Sequence, residues 1–282
     1  MDFYHKLLNY FSLDEEQYKN LVRPLSDADV PSPNRFDNMD EATERITKAI
    51  ANDERIFIYG DYDCDGVLAT AILVKTFQMM GYKNYGYYIP SRYIDGYAIT
   101  LEKVRQAKEK GYSLIITVDN GITKTEEVAL ANELGMDVII TDHHEMAEIL
   151  PDAIAVIHPK LSSSPEVVTS GATMSFFLAT SLLKKVDHYL LSLAGISIIS
   201  DLMELKGYNR DIVRLMINYV NNEHYDPIVL LCESSDIDEN TIGSKFAPKV
   251  NAIGRLIEGT NINRLVKYFA CDNKDELVSS AS

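Results

Sequence analysis

The stretch IFIYGDYDCDGVLAT, residues 56–70, sets three carboxylates, Asp61, Asp63 and Asp65, at alternate positions directly behind a run of apolar residues. Like charges this close repel and raise one another's pKa unless something positive neutralises them, so a divalent cation is the simplest remedy. The pairing of an apolar run with an acid recurs along the chain. Asp119 follows LIITV, the trio Asp142, His143 and His144 follows VIIT, and Asp201 follows GISIIS. One aspartate behind a strand is ordinarily the N-cap of the next helix. Acids and imidazoles at three successive strand ends read instead as one site. Aspartate oxygens with one or two imidazoles and no thiolate make a ligand set suited to Mn²⁺ or Mg²⁺.

Elements of alternating type must bring these residues together. From residue 55, RIFIYG, NYGYYI, SLIITVD, DVIITD and AIAVIH read as strands, and GVLATAILVKTFQMMG, TLEKVRQAKEKG and KTEEVALANELG as the helices between them. Such alternation predicts an α/β fold, a mostly parallel sheet with helices on both faces. Ligands of open sheets of this kind gather beyond the carboxyl ends of the strands, where these acids fall. From residue 171 helices dominate, beginning with GATMSFFLATSLLKKV and YLLSLAGISIISDLMEL. Ahead of the sheet, SLDEEQYKNLV carries Ser12 three residues before Glu15, the spacing of a capping box, and NMDEATERITKAIAND has helical periodicity.

Composition excludes several classes. The 282 residues, 46% hydrophobic, suffice for one large domain or two ordinary ones. No run of about 18 apolar residues exists, and the N-terminus lacks the order of a signal peptide, so a cytoplasmic protein without membrane contact is expected. Cys64, Cys232 and Cys271 are odd in number and lack CxxC spacing, which argues against a disulfide framework and a structural zinc site. A net charge of −15 opposes nucleic-acid binding. Metal-binding carboxylates contribute to that sum, however, and are offset when cations bind. His5, His158, His188 and His224 lack acidic neighbours at ligand spacing and read as bystanders.

DYDCDG, VDNG, TDHH and the late Asp201, in that order, resemble the four metal-binding motifs of the DHH phosphoesterase superfamily. PSRYIDGYAIT and APKVNAIGRL resemble segments typical of its RecJ-like single-strand exonuclease branch, and the resemblance covers roughly residues 55–260. It implies two divalent cations, Mn²⁺ before Mg²⁺, with Asp63 and Asp119 at one, and Asp65, Asp119, His143 and Asp201 at the other. Asp119 would be the catalytic bridge. Asp61 would either join the ligands or orient one of them. His144 would contact the scissile phosphate or assist proton transfer, its alternative being a supporting hydrogen bond. Arg92 and Tyr97 would face the substrate channel, clamping phosphate and stacking a base. Asn251 and Arg255 would hold a phosphate, with Gly254 allowing close backbone approach.

The implied activity is metal-dependent hydrolysis of single-stranded DNA from a 5′ end, in repair and recombination. Implied partners are single-stranded DNA, a single-strand-binding protein, a helicase or a separate C-terminal lobe. A phosphodiesterase of short oligonucleotides or nucleotides, and a non-catalytic scaffold in a replication or repair complex, are the alternatives. A scaffold should have lost ligands, and every expected acid and both histidines remain. Two departures stand out: Lys249 occupies a position where the branch usually has Arg, and SGATMSFF replaces a more glycine-rich form. The expected organisation is a helical lead over 1–52, a DHH catalytic domain over 53–260 that includes the helix-rich portion, and a segment 261–282. That last segment, with NINRLVKYFACDNKDELV, would begin a connecting helix to a C-terminal domain absent from the chain.

Overall fold

The computed structural model describes residues 3–91, 96, 98–163, 165, 167–256 and 262–271, with Arg255 and Leu256 described by backbone alone. Five short apolar runs form strands: β1 (Ile56–Tyr59), β2 (Tyr85–Tyr88), β3 (Leu114–Val118), β4 (Asp137–Thr141) and β5 (Ala155–Ile157). These strands pair in parallel throughout, in the order β2-β1-β3-β4-β5. Parallel neighbours cannot be joined by hairpins, so helices must cross over the sheet. Side chains alternate between its two faces. Ile56, Ile58, Leu114, Ile116, Val118, Ile139, Ala155 and Ile157 enter one core, whereas Phe57, Tyr59, Ile115, Val138, Ile140 and Val156 enter the other. The order reverses between β1 and β3, and at such a switch point the loops diverge and open a crevice beyond the strand ends.

Among the described residues three α-helices precede the sheet, α1 (Phe3–Phe11), α2 (Glu15–Val22) and α3 (Met39–Ala51), with two 3₁₀ turns, Asp27–Asp29 and Pro33–Arg35, between the last two. The crossovers are α4 (Cys64–Met79), α5 (Leu101–Glu109) and α6 (Thr125–Glu133). The larger core takes in α3 through Met39, Ala42, Ile46 and Ala49, and α4 through residues such as Leu68, Ile72 and Phe77. Val104, Ala107, Val128 and Ala131 bring α5 and α6 to the other face. Because α4 is covered on nearly every side, its hydroxyls must be satisfied internally. Thr70 and Thr76 donate to the carbonyls of Gly66 and Ile72, both at 2.8 Å.

Beyond the sheet come α7 (Gly171–Leu183), α8 (His188–Ser200), α9 (Gly207–Glu223), α10 (Asp226–Cys232) and the single turn α11 (Glu239–Thr241). A π-helical turn, Ile242–Phe246, leads into α12 (Ala247–Leu256), and α13 (Asn263–Ala270) follows. Phe176 and Phe177 on α7 are fully buried, and truncating either to alanine would cost about 3–5 kcal/mol.

Two local expectations are corrected. The capping box belongs to Asp14 and Gln17, whose side chains exchange bonds with each other's backbone N–H at 2.7 and 2.9 Å. Ser12 instead closes α1 in the left-handed region, φ +53, with Leu13 N–H returning to the Leu8 carbonyl. The helix expected from residue 261 onward ends at Ala270, and Cys271 is extended. The last turn of α13 is capped by neighbours, with Tyr189 Oη donating to the Phe269 carbonyl at 2.7 Å and Lys75 Nζ to that of Ala270 at 3.3 Å. Residues 272–282 lie outside the described residues. Among the described residues no helix is long and apolar enough to cross a membrane, and no disulfide joins Cys64, Cys232 or Cys271.

Candidate metal centre

Each strand-end acid is aimed by a local backbone requirement. Asp63 caps α4, accepting the Gly66 N–H at 3.0 Å. Asp65, two residues further in the first turn of α4, reaches the start of α7. There it accepts Gly171 N–H on Oδ2 and Ala172 N–H on Oδ1, both at 2.7 Å, and Ser197 Oγ donates to Oδ1 at 2.7 Å. Helix N-termini present unpaired N–H groups and partial positive charge, so a buried carboxylate is well placed there. Asp119 leaves β3 in the left-handed region, φ +60, a conformation aspartate tolerates better than most residues. Next to it, Asn120 Nδ2 donates to the carbonyls of Tyr59 at 3.1 Å and Val118 at 2.9 Å, fastening the ends of β1 and β3 together.

The side chains converge. His143 Nε2 lies 3.0 Å from Asp119 Oδ1, 3.5 Å from Asp65 Oδ2 and 3.6 Å from Asp201 Oδ2. Asp61, Asp63 and Asp119 form an adjoining group with ligand atoms within 4.8 Å of one another. Asp119 belongs to both neighbourhoods. Asp201 reaches the cluster from the C-terminal end of α8 rather than from a strand.

The electrostatics are those of a site short of positive charge. Burial, then Asp63, pushes the Asp61 carboxyl up to about 7. Burial, then Asp65 and Asp63, pushes Asp201 likewise to about 7. Asp119, 1% exposed, is raised well above the carboxylate range by burial and then by Asp65, Asp63 and Asp61. Asp61 Oδ1 is buried with no hydrogen-bond partner, and Asp119 Oδ1 makes no aligned hydrogen bond although His143 Nε2 lies 3.0 Å away. Burial lowers His143, leaving a neutral imidazole of the kind that donates a lone pair to a metal. Cys64 is no competitor, since burial raises its thiol and keeps it protonated. Orphaned carboxylate oxygens, a neutral imidazole and no thiolate fit a hard divalent cation such as Mn²⁺ or Mg²⁺.

His144 sits at the rim with its side chain 42% exposed. Its Nδ1–H donates to Asp142 Oδ1 at 2.8 Å. Burial alone would lower its pKa, but the bond to Asp142 and that carboxylate's charge outweigh it and bring the ring to about 8. Asp142 in turn accepts backbone N–H groups from His143 at 2.7 Å, His144 at 3.2 Å and Ile122 at 2.9 Å. Behind the rim, His158 is fully buried, with Nε2 2.8 Å from the His144 carbonyl. Lys160 N–H donates to its Nδ1 at 3.1 Å, which fixes the neutral tautomer with hydrogen on Nε2. His158, read from the sequence as a bystander, thus holds the loop that carries His144.

Asn251 Oδ1 accepts the Cys64 N–H at 2.9 Å, so its side chain braces the start of α4. Gly254 does permit a close backbone approach, but to the chain itself: a Cβ there would stand 2.5 Å from the Tyr62 carbonyl oxygen. Arg92 and Tyr97 lie outside the described residues, as does the side chain of Arg255. The contacts of Gly171, Ala172 and Ser197 with this centre, and of Ser170 with Ser197 behind them, were missed in the sequence. Their one signal was a Ser–Gly helix start, which is common to many helices.

The family model for the DHH family, N-terminal domain, matches residues 55–203. The single-stranded-DNA-specific exonuclease RecJ of Bacillus subtilis (strain 168) is 39% identical over 250 residues, covering 86% of this chain and 32% of that relative. The protein of the same name from Salmonella typhimurium is 32% identical over 265 residues, covering 86% and 45%. A crystal structure of exonuclease RecJ bound to manganese superposes with a TM-score of 0.79 at 28% identity, over 91% of this chain and 65% of that one. A RecJ–Mn²⁺ complex from Thermus thermophilus gives 0.78 at 26% identity, over 94% and 38%. The chain spans less than half the length of these two curated relatives.

Proposed function

The chain belongs to the DHH family, and from that premise we propose that it is the catalytic part of a metal-dependent nuclease hydrolysing phosphodiester bonds of single-stranded DNA from a 5′ end. The observation that carries the proposal is the position of His143 Nε2, within 3.6 Å of carboxylate oxygens from Asp65, Asp119 and Asp201. The manganese-bound and single-strand-specific relatives support the choice of cation and substrate.

In this reading Asp63 and Asp119 would hold one divalent cation, and Asp65, Asp119, His143 and Asp201 the other. When bound, such a pair supplies an activated water and neutralises charge developing at the attacked phosphate. The chain's own groups do the rest. The α7 N-terminus and Ser197 fix both oxygens of Asp65, so its direction does not depend on loading. His144 stands at the rim with its Nδ1 held by Asp142, so its exposed face could pass a proton to the leaving oxygen. Asp61, with its orphaned oxygen beside Asp63, would orient a ligand or join the set.

The single-strand preference is proposed from relatives more than twice as long as the matched region, and partners such as a single-strand-binding protein, a helicase or a separate lobe are proposed on the same ground alone. A degradation assay with end-labelled single strands, duplexes and dinucleotides, with and without Mn²⁺, tests the reading. Mn²⁺-dependent shortening of single strands is expected. Cleavage confined to dinucleotides would favour the short-oligonucleotide phosphodiesterase, and no cleavage despite metal binding would favour the scaffold.

A further inference from the structure

Leu202 breaks two folding preferences at once. Its φ is +56, in the left-handed region, and its side chain is 89% exposed. The position closes α8, with Leu202 N–H donating to the Ile199 carbonyl at 3.2 Å and Met203 N–H to that of Ile198 at 2.9 Å. These are the paired bonds of a helix end whose left-handed residue is usually glycine. Glycine would make the same turn without strain and without showing an isobutyl group to water. Folding therefore gives no reason for leucine.

Its surroundings do. Leu202 and Met203 line a cleft of about 240 Å³ together with Val167, Val168, Glu204 and Lys206. The lining is fixed in place: Asn209 Nδ2 donates to the carbonyls of Val168 at 2.8 Å and Glu204 at 3.0 Å, and Tyr208 Oη to that of Val167 at 2.9 Å. Both segments of the cleft also run straight into the metal centre. Asp201 precedes Leu202, and Val167–Val168 lead through Thr169 and Ser170 to the α7 N–H groups that hold Asp65. The cleft is smaller than the roughly 300–1,000 Å³ that encloses a whole small-molecule ligand, so it suits one flat group of a larger molecule.

We infer that Leu202, with Met203, Val167 and Val168, receives the nucleobase adjoining the phosphodiester under attack. Every base has apolar faces, so such a slot holds a strand without reading its sequence. The inference rests on the nuclease reading above and adds to it a residue that positions the strand.

The test uses the full chain with Mn²⁺ and the variant Leu202→Gly, which removes the side chain while keeping the turn. Its melting temperature should equal or exceed that of the wild type. KM for a single strand should rise about 10-fold, the scale of a lost apolar base contact, with kcat within about twofold. Strands carrying one abasic nucleotide at each of the first three positions from the cut end locate the base. At one position the wild-type KM should rise by a similar factor, and Leu202→Gly should add nothing further there. A KM within about twofold of wild type on the intact strand, the same 10-fold rise at every abasic position, or a lowered melting temperature overturns the inference alone. Absence of metal-dependent cleavage by the wild type overturns the nuclease reading and this inference with it.

Discussion

A Cβ at Gly171 would stand 2.5 Å from Asp119 Oδ1 and 2.6 Å from its Cβ, while the Gly171 N–H donates to Asp65 Oδ2 at 2.7 Å. One glycine thus lets the carboxylate after β3 and the Asp65 carboxylate in the first turn of α4 meet at the start of α7. Gly171→Ala should separate them. We expect Mn²⁺ affinity to fall at least about 10-fold by calorimetric titration, the scale on which disturbed ligand support acts. Unchanged affinity would mean that the Asp119–Asp65 approach is dispensable.

Asp119→Ala should lower activity more than His144→Ala. The former removes the carboxylate that lies beside both His143 and the Asp61–Asp63 pair and should reduce bound Mn²⁺. The latter should leave Mn²⁺ bound and cost about 10²–10⁴-fold in rate, the range of a lost proton donor. Equal residual rates with full metal occupancy in both variants would reject this division of roles.

His158→Ala should lower kcat by about 10-fold at unchanged Mn²⁺ affinity, because it releases the His144 carbonyl without touching a ligand atom. His158→Asn, whose side-chain amide can still donate, should recover much of the loss. A purely structural role would lower the melting temperature and KM-normalised rates alike, with no rescue specific to kcat.

Without metal, stability should fall as pH rises. Asp61 and Asp201, each raised to about 7, bind a proton more tightly in the folded chain than in the unfolded one, where aspartate titrates near 3.9. Their contribution is complete below about pH 4 and is lost as pH climbs to about 7, amounting to a few kcal/mol as an order of magnitude. Asp142, whose pKa is lowered because His144 and backbone N–H groups outweigh its burial, acts oppositely at the acid end. Thermal melts should therefore show Mn²⁺ raising the melting temperature more at pH 7.5 than at pH 5. A metal-free melting temperature that rises from pH 5 to pH 7.5 would contradict this.

The acids were legible in the sequence because each follows an apolar run short enough to be one strand, and strand ends are where parallel sheets collect ligands. Asp61, Asp63, Asp65, Asp119 and His143 fall out of that rule. Asp201 stood out behind the apolar run GISIIS, but its place among the ligands came from the resemblance alone, since that run ends a helix and no periodicity links a helix end to the crevice. What could not be read was support that depends on docking. Nothing in SGATMS says that its N–H groups will meet Asp65, more than a hundred residues earlier in the chain. Likewise, His158 has no acidic neighbour in sequence because its partner is a backbone carbonyl, which every residue possesses. The resemblance assigned Asn251 to a phosphate, and no spacing announced that its Oδ1 would also accept the Cys64 N–H at the start of α4, where the first N–H groups need an acceptor.

The central claim is that two divalent cations sit in this cluster with Asp119 between them. Anomalous diffraction at the manganese edge from crystals grown with Mn²⁺ tests it most directly. The account predicts two peaks, one contacting Asp63 and Asp119 and the other contacting Asp65, Asp119, His143 and Asp201. A single peak, or peaks that Asp119 does not touch, would contradict it.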